Sequence, residues 1–373
     1  MIPFFQHDLG KAELDAIARV FAGPILTTGE EVARFEAVFA DYLGRRHCVG
    51  LTSCTGALHL ALLALGIGTG DEVITTPATF VATATAILST GARPVFVDVE
   101  GDTGNLDATL VEAAITSRTK AILPVHLYGL MADMRRLRAI ADHYDLRIVE
   151  DAAHCIEGAR DGVRPGELAD AACFSFYATK NITCGEGGAL VTDDPELDRK
   201  VRRLRLHGID KPCADRLGGH QHWDMPTFGW KYNMDNIQAA MLLPQIPRID
   251  EKWRRRESLA ALYAEKLSGI SGVRLLASRP EARHARHLLP VRVPDRDRTI
   301  LELQERGISA MVNYRAITSL TYFRAELGCE PGRFPEAERL GEEVLSLPFY
   351  PTMPDAHVEI VAKALSAISI ATA

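Results

Sequence analysis

The sequence lacks any pair of cysteines spaced as CxxC. Its seven cysteines (Cys48, Cys54, Cys155, Cys173, Cys184, Cys213 and Cys329) are odd in number and scattered. That pattern argues against a disulfide framework and a zinc cage, and it fits a reducing cytoplasm; no metal site is expected. Long hydrophobic runs are also missing, with nothing near the roughly 20 apolar residues of a spanning helix. The opening Met1-Ile2-Pro3-Phe4-Phe5-Gln6-His7-Asp8 has no cationic head before an apolar stretch, so neither export nor membrane insertion is expected. Basic excess is absent too: 42 Lys+Arg against 49 Asp+Glu give a net charge of −7, which does not suggest a nucleic-acid partner. Repeats and low-complexity tracts are lacking, so solenoid and linker architectures are not expected. What remains is an ordinary globular balance, 47% hydrophobic and 24% charged, over 373 residues, enough for two or three domains and a large core.

Seven short Val/Ile/Leu-rich runs punctuate the first half: Cys48–Ser53, Glu72–Pro77, Pro94–Val99, Ala121–Leu127, Arg147–Ala152, Ala172–Tyr177 and Gly188–Thr192. Separated by helical patterns, they read as strands of a mostly parallel sheet buried on both faces. Leu58–Leu65 is apolar almost all round and predicts an internal helix. Asp133–Tyr144 instead carries one apolar stripe, Met134, Leu137, Ile140 and Ala141, and predicts a helix covering the sheet from outside. The alternation implies a three-layer α/β domain with right-handed crossovers. The texture then changes to a charged helix over Arg248–Ser268, a strand over His287–Val293, and helices over Arg298–Arg306 and Ala356–Ile368. We therefore divide the chain into an N-terminal arm with a large domain, residues 1–245, and a smaller C-terminal α+β domain, residues 246–373. Between Leu204 and Trp230 lies a Gly/His/Asp/Pro-rich excursion, whose His220, His222 and Trp223 either line an entrance or form a solvated loop.

Three features at strand ends carry chemistry, the place where ligands bind in open α/β sheets. Ser53-Cys54-Thr55-Gly56-Ala57 opens the internal helix. It reads as a Ser/Thr cap or as a phosphate seat, since a helix N-terminus offers free N–H groups and about half a positive charge. Asp151 ends a strongly apolar strand, where a carboxylate needs a cation or a protonated nitrogen, or else belongs to a structural ion pair. Glu150 points to the other side of that strand, and His154 is either a satisfied semi-buried histidine or part of the site. Lys180 follows another apolar strand and precedes Gly185-Glu186-Gly187-Gly188. Only nine of the 42 cationic side chains are lysine, and arginine cannot supply a neutral amine nucleophile. A lysine simply capping the strand is the bland alternative.

Phosphate seat, buried carboxylate and amine are together the three handles of pyridoxal 5′-phosphate. Asp151 would keep the pyridine nitrogen protonated, Lys180 would form the Schiff base and shuttle the proton, and Ser175 would place a hydroxyl on the phosphate. Phe80 would stack on the ring or is an ordinary core residue. Gly66-Ile67-Gly68-Thr69-Gly70 imitates a dinucleotide loop but follows a helix and precedes a strand, the reverse of the required order.

The chain resembles the DegT-type sugar-nucleotide aminotransferases, fold-type-I pyridoxal phosphate enzymes, over nearly its whole length. The resemblance rests on Leu26-Thr27-Thr28-Gly29, the Ser53–Leu62 stretch, Gly70-Asp71-Glu72-Val73, Pro94–Val99 and Pro124-Val125-His126-Leu127-Tyr128-Gly129. It continues through Glu150–His154, Ser175–Lys180, Lys231-Tyr232-Asn233-Met234 and Leu345–Pro351. It implies Lys180 as the Schiff-base lysine, Asp151 as the pyridinium partner, Phe80 as the stacking aromatic, and Thr55, Gly56 and Ser175 at the phosphate, with His154 also in the cofactor site. It further implies a homodimer with shared active sites, in which Asn233 reaches the neighbouring subunit's phosphate, and a sugar-binding role for Thr28, Tyr314 and Arg315. Asn313 stands where many members carry histidine. The implied reaction moves an amino group from glutamate to a keto group, C4 in preference to C3, of a nucleotide-linked keto-deoxy-sugar in polysaccharide biosynthesis. An aminotransferase for a keto-cyclitol of the inosose type and a non-catalytic sugar-nucleotide sensor are the alternatives. Lys180 argues against the branch that carries histidine there and dehydrates sugars.

Overall fold

The computed structural model describes residues 1–210 and 222–368. His220 and Cys213 lie outside the described residues, while His222 and Trp223 stand on the surface. The seven expected strands are all present: β1 (His47–Leu51), β2 (Glu72–Thr75), β3 (Arg93–Phe96), β4 (Thr119–Ile122), β5 (Arg147–Asp151), β6 (Ala171–Ser175) and β7 (Gly188–Thr192). They form one sheet in the order β1-β7-β6-β5-β4-β2-β3. Only β7 runs against its neighbours, pairing antiparallel with both β1 and β6. Side chains of β5 alternate between faces: Asp151 turns toward the site, whereas Glu150 is fully buried on the other side, accepting from the Gly166 N–H at 2.8 Å and bonded to His126 Nε2 at 3.1 Å.

Helices cover both faces, as apolar runs buried on two sides require. On one lies α1 (Cys54–Ala64), whose Leu58, Leu60, Ala61 and Leu62 are completely buried in a cluster with Val49, Val73, Val149 and Leu190. The other carries Phe35, Phe39, Phe174 and Phe176, packed edge-on at centroid separations of 5.3 to 5.4 Å. Met134–Tyr144 is a helix that buries the four stripe residues named above, with Asp133 capping it by accepting from the Arg136 N–H at 3.0 Å. The Gly66–Gly70 stretch is the turn between α1 and β2.

A second core gathers helix α2 (Ile249–Leu267), strands β8 (Leu289–Arg292) and β9 (Val344–Leu347), and α3 (Asp355–Ala367). Ile2 joins this core and bridges to Ile308, so the first residues of the chain pack with its last third. The strand expected from His287 begins two residues later: the His287 N–H bonds the Tyr128 carbonyl at 3.0 Å, outside the strand ladder. Ala285 N–H bonds the Gly129 carbonyl at 2.8 Å beside it. Gly129 has φ +104°, and a Cβ there would stand 2.9 Å from Arg286 N and 3.0 Å from the His154 carbonyl oxygen. Glycine is thus required where the second core's lead-in segment lies against the sheet. Among the described residues no helix is long and apolar enough to cross a membrane.

Candidate active site

The carboxyl ends of β1, β5 and β6 point the same way, and the segments leaving them surround a cavity of about 530 Å³. Thr55, Phe80, Asp151, His154, Ser175, Lys180 and Tyr314 all line it. Ser53 caps α1, its Oγ accepting from Gly56 N–H at 3.0 Å. That bond occupies the Gly56 amide, and Gly56 does not line the cavity; its missing Cβ leaves room for the Tyr232 ring, which would lie 3.2 Å from it. Gly188 does comparable work from β7: a Cβ there would sit 2.2 Å from the Ser53 carbonyl carbon. A glycine is needed for the helix start to rest on that strand.

Asp151 is 5% exposed, yet its carboxylate is bonded on both oxygens: Thr83 Oγ donates to Oδ2 at 2.7 Å and Ala153 N–H to Oδ1 at 3.2 Å. Lys180 Nζ lies 3.5 Å from His287 Nε2. Burial lowers the affinity of Lys180 for its proton, and the nearby Asp151 charge opposes this only in part, leaving a pKa of about 8. His154 accepts the Tyr128 N–H on Nδ1 at 3.2 Å, and its Nε2 lies 3.3 Å from Tyr314 Oη. Burial, and then the Lys180 charge, push the His154 pKa well down, which places its single proton on Nε2. Phe80 is 55% exposed at the mouth, with its ring centroid 5.8 Å from that of Tyr314.

Besides Gly56, three sequence candidates lie outside the cavity. Thr28 and Asn233 bond each other at 2.7 Å, and Thr28 Oγ donates to the Met234 carbonyl at 2.6 Å, without lining this cavity. Arg315 is exposed and does not line it. Cavity residues not singled out from the sequence include His287, Cys54 and Thr79, with Thr83 behind Asp151. Thr83 lies in the first turn of the helix Ala82–Ser89 that follows Phe80. His287 had no local signal.

These groups suit a phosphorylated pyridine aldehyde: Thr55 at the start of α1 and the Ser175 hydroxyl for a phosphate, the buried Asp151 carboxyl group for a ring nitrogen, and the easily deprotonated Lys180 amine for an aldehyde. The profile of the DegT/DnrJ/EryC1/StrS aminotransferase family matches residues 7–366. The chain belongs to that family. It is accordingly an aminotransferase that depends on pyridoxal 5′-phosphate, and its fold is that of the fold-type-I sugar aminotransferases. The spore coat polysaccharide biosynthesis protein SpsC of Bacillus subtilis (strain 168) is 39% identical over 373 residues, spanning 98% of this chain and 96% of its own. The crystal structure of S. venezuelae DesV in complex with a ketimine intermediate superposes with a TM-score of 0.88 at 40% identity, covering 95% of this chain and 93% of that one. The PMP form of Spr1654 from Streptococcus pneumoniae gives 0.94 at 31% identity, covering 99% of both chains.

Proposed function

We propose that this aminotransferase moves an amino group from glutamate to a keto group of a nucleotide-linked keto-deoxy-sugar, at C4 in preference to C3, for polysaccharide biosynthesis in the cytoplasm. The observation that carries the reading is the convergence of Asp151, Ser175 and Lys180 on one cavity that Phe4, Phe80, Met311, Asn313 and Tyr314 also line. Bound pyridoxal phosphate holds the amino group between two half-reactions and withdraws electrons from the substrate carbon. The protein supplies the remainder. Asp151, steadied by Thr83, presents a fixed negative charge that keeps a proton on the ring nitrogen. Thr55, at the start of α1, and Ser175 hold the phosphate, and Phe80 covers the ring. Lys180, with its pKa near 8, takes up and returns a proton near neutral pH. Asn313 Oδ1 is buried without a hydrogen-bond partner, an acceptor suited to a sugar hydroxyl. Tyr314 offers a ring face beside it, and Arg315 a charge outside for the nucleotide.

The protein acts as a homodimer in this reading, the Thr28–Asn233 pair of one subunit completing the phosphate seat of the other. That accounts for a tightly bonded Asn233 that stays out of its own chain's cavity. SpsC, a polysaccharide biosynthesis protein by name, supports the pathway class. The test is a panel: purified enzyme with glutamate, offered nucleotide-linked 3-keto and 4-keto sugars and a keto-inositol, with amination followed by mass spectrometry. Amination of the 4-keto sugar is expected. Exclusive amination of the keto-inositol, or no reaction with any nucleotide sugar, would overturn the proposal.

A further inference from the structure

Behind Lys180 runs a chain of buried polar groups that reaches from one core to the other. Arg256, on α2, donates from Nη1 to Glu157 Oε1 at 3.0 Å, and both side chains are almost wholly buried. Glu157 Oε2 accepts from Asn181 Nδ2 at 2.7 Å, while Arg256 Nη2 also meets the Asn181 carbonyl at 3.2 Å. Asn181 Oδ1 then faces His287 Nδ1 at 3.2 Å, and His287 Nε2 faces Lys180 Nζ at 3.5 Å.

The direction of every bond in this chain is forced. A carboxylate only accepts, so the Asn181 atom touching Glu157 is its amide nitrogen, which fixes Oδ1 toward the histidine. Oδ1 also only accepts, so the proton of His287 sits on Nδ1. Burial lowers the His287 pKa well below its ordinary value, as do the neighbouring Lys180, His154 and Arg256, so the ring carries no second proton. Its Nε2 lone pair is therefore bare and points at Lys180. The other groups acting on Lys180 are Asp151, Cys54 and His154, whose ring lies 4.4 Å from that of His287.

We propose that Arg256, Glu157 and Asn181 form a tautomer lock, a set of positioning residues that keeps an unprotonated His287 nitrogen on Lys180 and so aims its amine. The inference deepens the aminotransferase reading, in which Lys180 is the proton carrier, but it concerns the chain's own hydrogen bonds and does not depend on which substrate is aminated.

The experiment is a nitrogen NMR spectrum of the cofactor-loaded enzyme labelled with 15N-histidine, the His287 signals being identified by their loss in His287→Gln. The expected pattern is pyrrole-type Nδ1 and pyridine-type Nε2. A protonated Nε2 in the unmodified enzyme would overturn the proposal outright, without recourse to any variant that might not fold. Asn181→Leu should give mixed tautomers at His287, with kcat reduced about tenfold or more and KM for the amino donor unchanged within about twofold. Exchanging acid and amide, Glu157→Gln with Asn181→Asp, preserves both the net charge and the acceptor facing Nδ1. It should restore the single tautomer and most of kcat. Equal losses in the exchanged double variant and in Asn181→Leu, or a kcat insensitive to both, would also refute the lock. If the tautomer pattern holds while the keto-sugar panel fails, the substrate reading alone falls.

Discussion

Cofactor capture should depend on pH through Lys180, because only its neutral amine attacks an aldehyde. A lysine of ordinary pKa 10.5 is neutral in about 0.03% of molecules at pH 7, and one at about 8 in about 9%. The site thus raises the reactive fraction roughly 300-fold. The sign follows from the cause: burial penalises the ammonium, so the proton leaves at lower pH than in a free lysine, and capture speeds up as pH rises through 8. Stripping the cofactor and following the return of its lysine-bound absorbance from pH 6 to 10.5 should give a midpoint near 8. Asp151→Asn removes the charge that holds the proton on, so its midpoint should fall by about one unit or more. A midpoint at or above 10 in the unmodified protein, or an alkaline shift in Asp151→Asn, would refute the argument.

Thr83→Val removes the hydroxyl bonded to Asp151 Oδ2 at 2.7 Å; a hydrogen bond to a charged group is worth about 1.5–3 kcal/mol, so urea unfolding should show a loss of about that size, and turnover should fall because Asp151 loses the group that steadies it. Gly188→Ala places a methyl 2.2 Å from the Ser53 carbonyl carbon. Urea unfolding should show a loss of about 2 kcal/mol or more, together with weaker cofactor binding because the start of α1 is displaced. For the shared site, Lys180→Ala and Asn233→Ala should each be nearly inactive. Refolded together, they should recover about a quarter of wild-type activity, since half the dimers are hybrids with one intact site; no recovery would count against the shared seat.

Much of the sheet was readable because strands buried on both faces need continuous apolar runs, and each of the seven runs became a strand. The stripe Met134, Leu137, Ile140 and Ala141 predicted its helix and buried face for the same reason. Strand direction was less accessible: nothing in Gly188-Ala189-Leu190-Val191-Thr192 says that it runs against its neighbours, because direction is set by the connection and not by the run. Asp151 and Lys180 stood out because a charge at the end of an apolar strand demands a reason. His287 did not, since its partners Lys180 and Asn181 lie more than a hundred positions away and its own surroundings read only as the start of a strand. Thr28, Asn233 and Arg315 were named by resemblance alone, and a single chain leaves all three outside its cavity, as it does Gly56.

Gly129 joins the two halves of the molecule without any side chain of its own. The peptide groups that meet there, the Tyr128 and Gly129 carbonyls with the amides of Ala285 and His287, fix where the imidazole of residue 287 arrives. Seating the C-terminal portion on the sheet is therefore also what completes the surroundings of the reactive amine. A bulkier residue at 129 would be felt first as a change in the basicity of Lys180, ahead of any change in the shape of the substrate entrance.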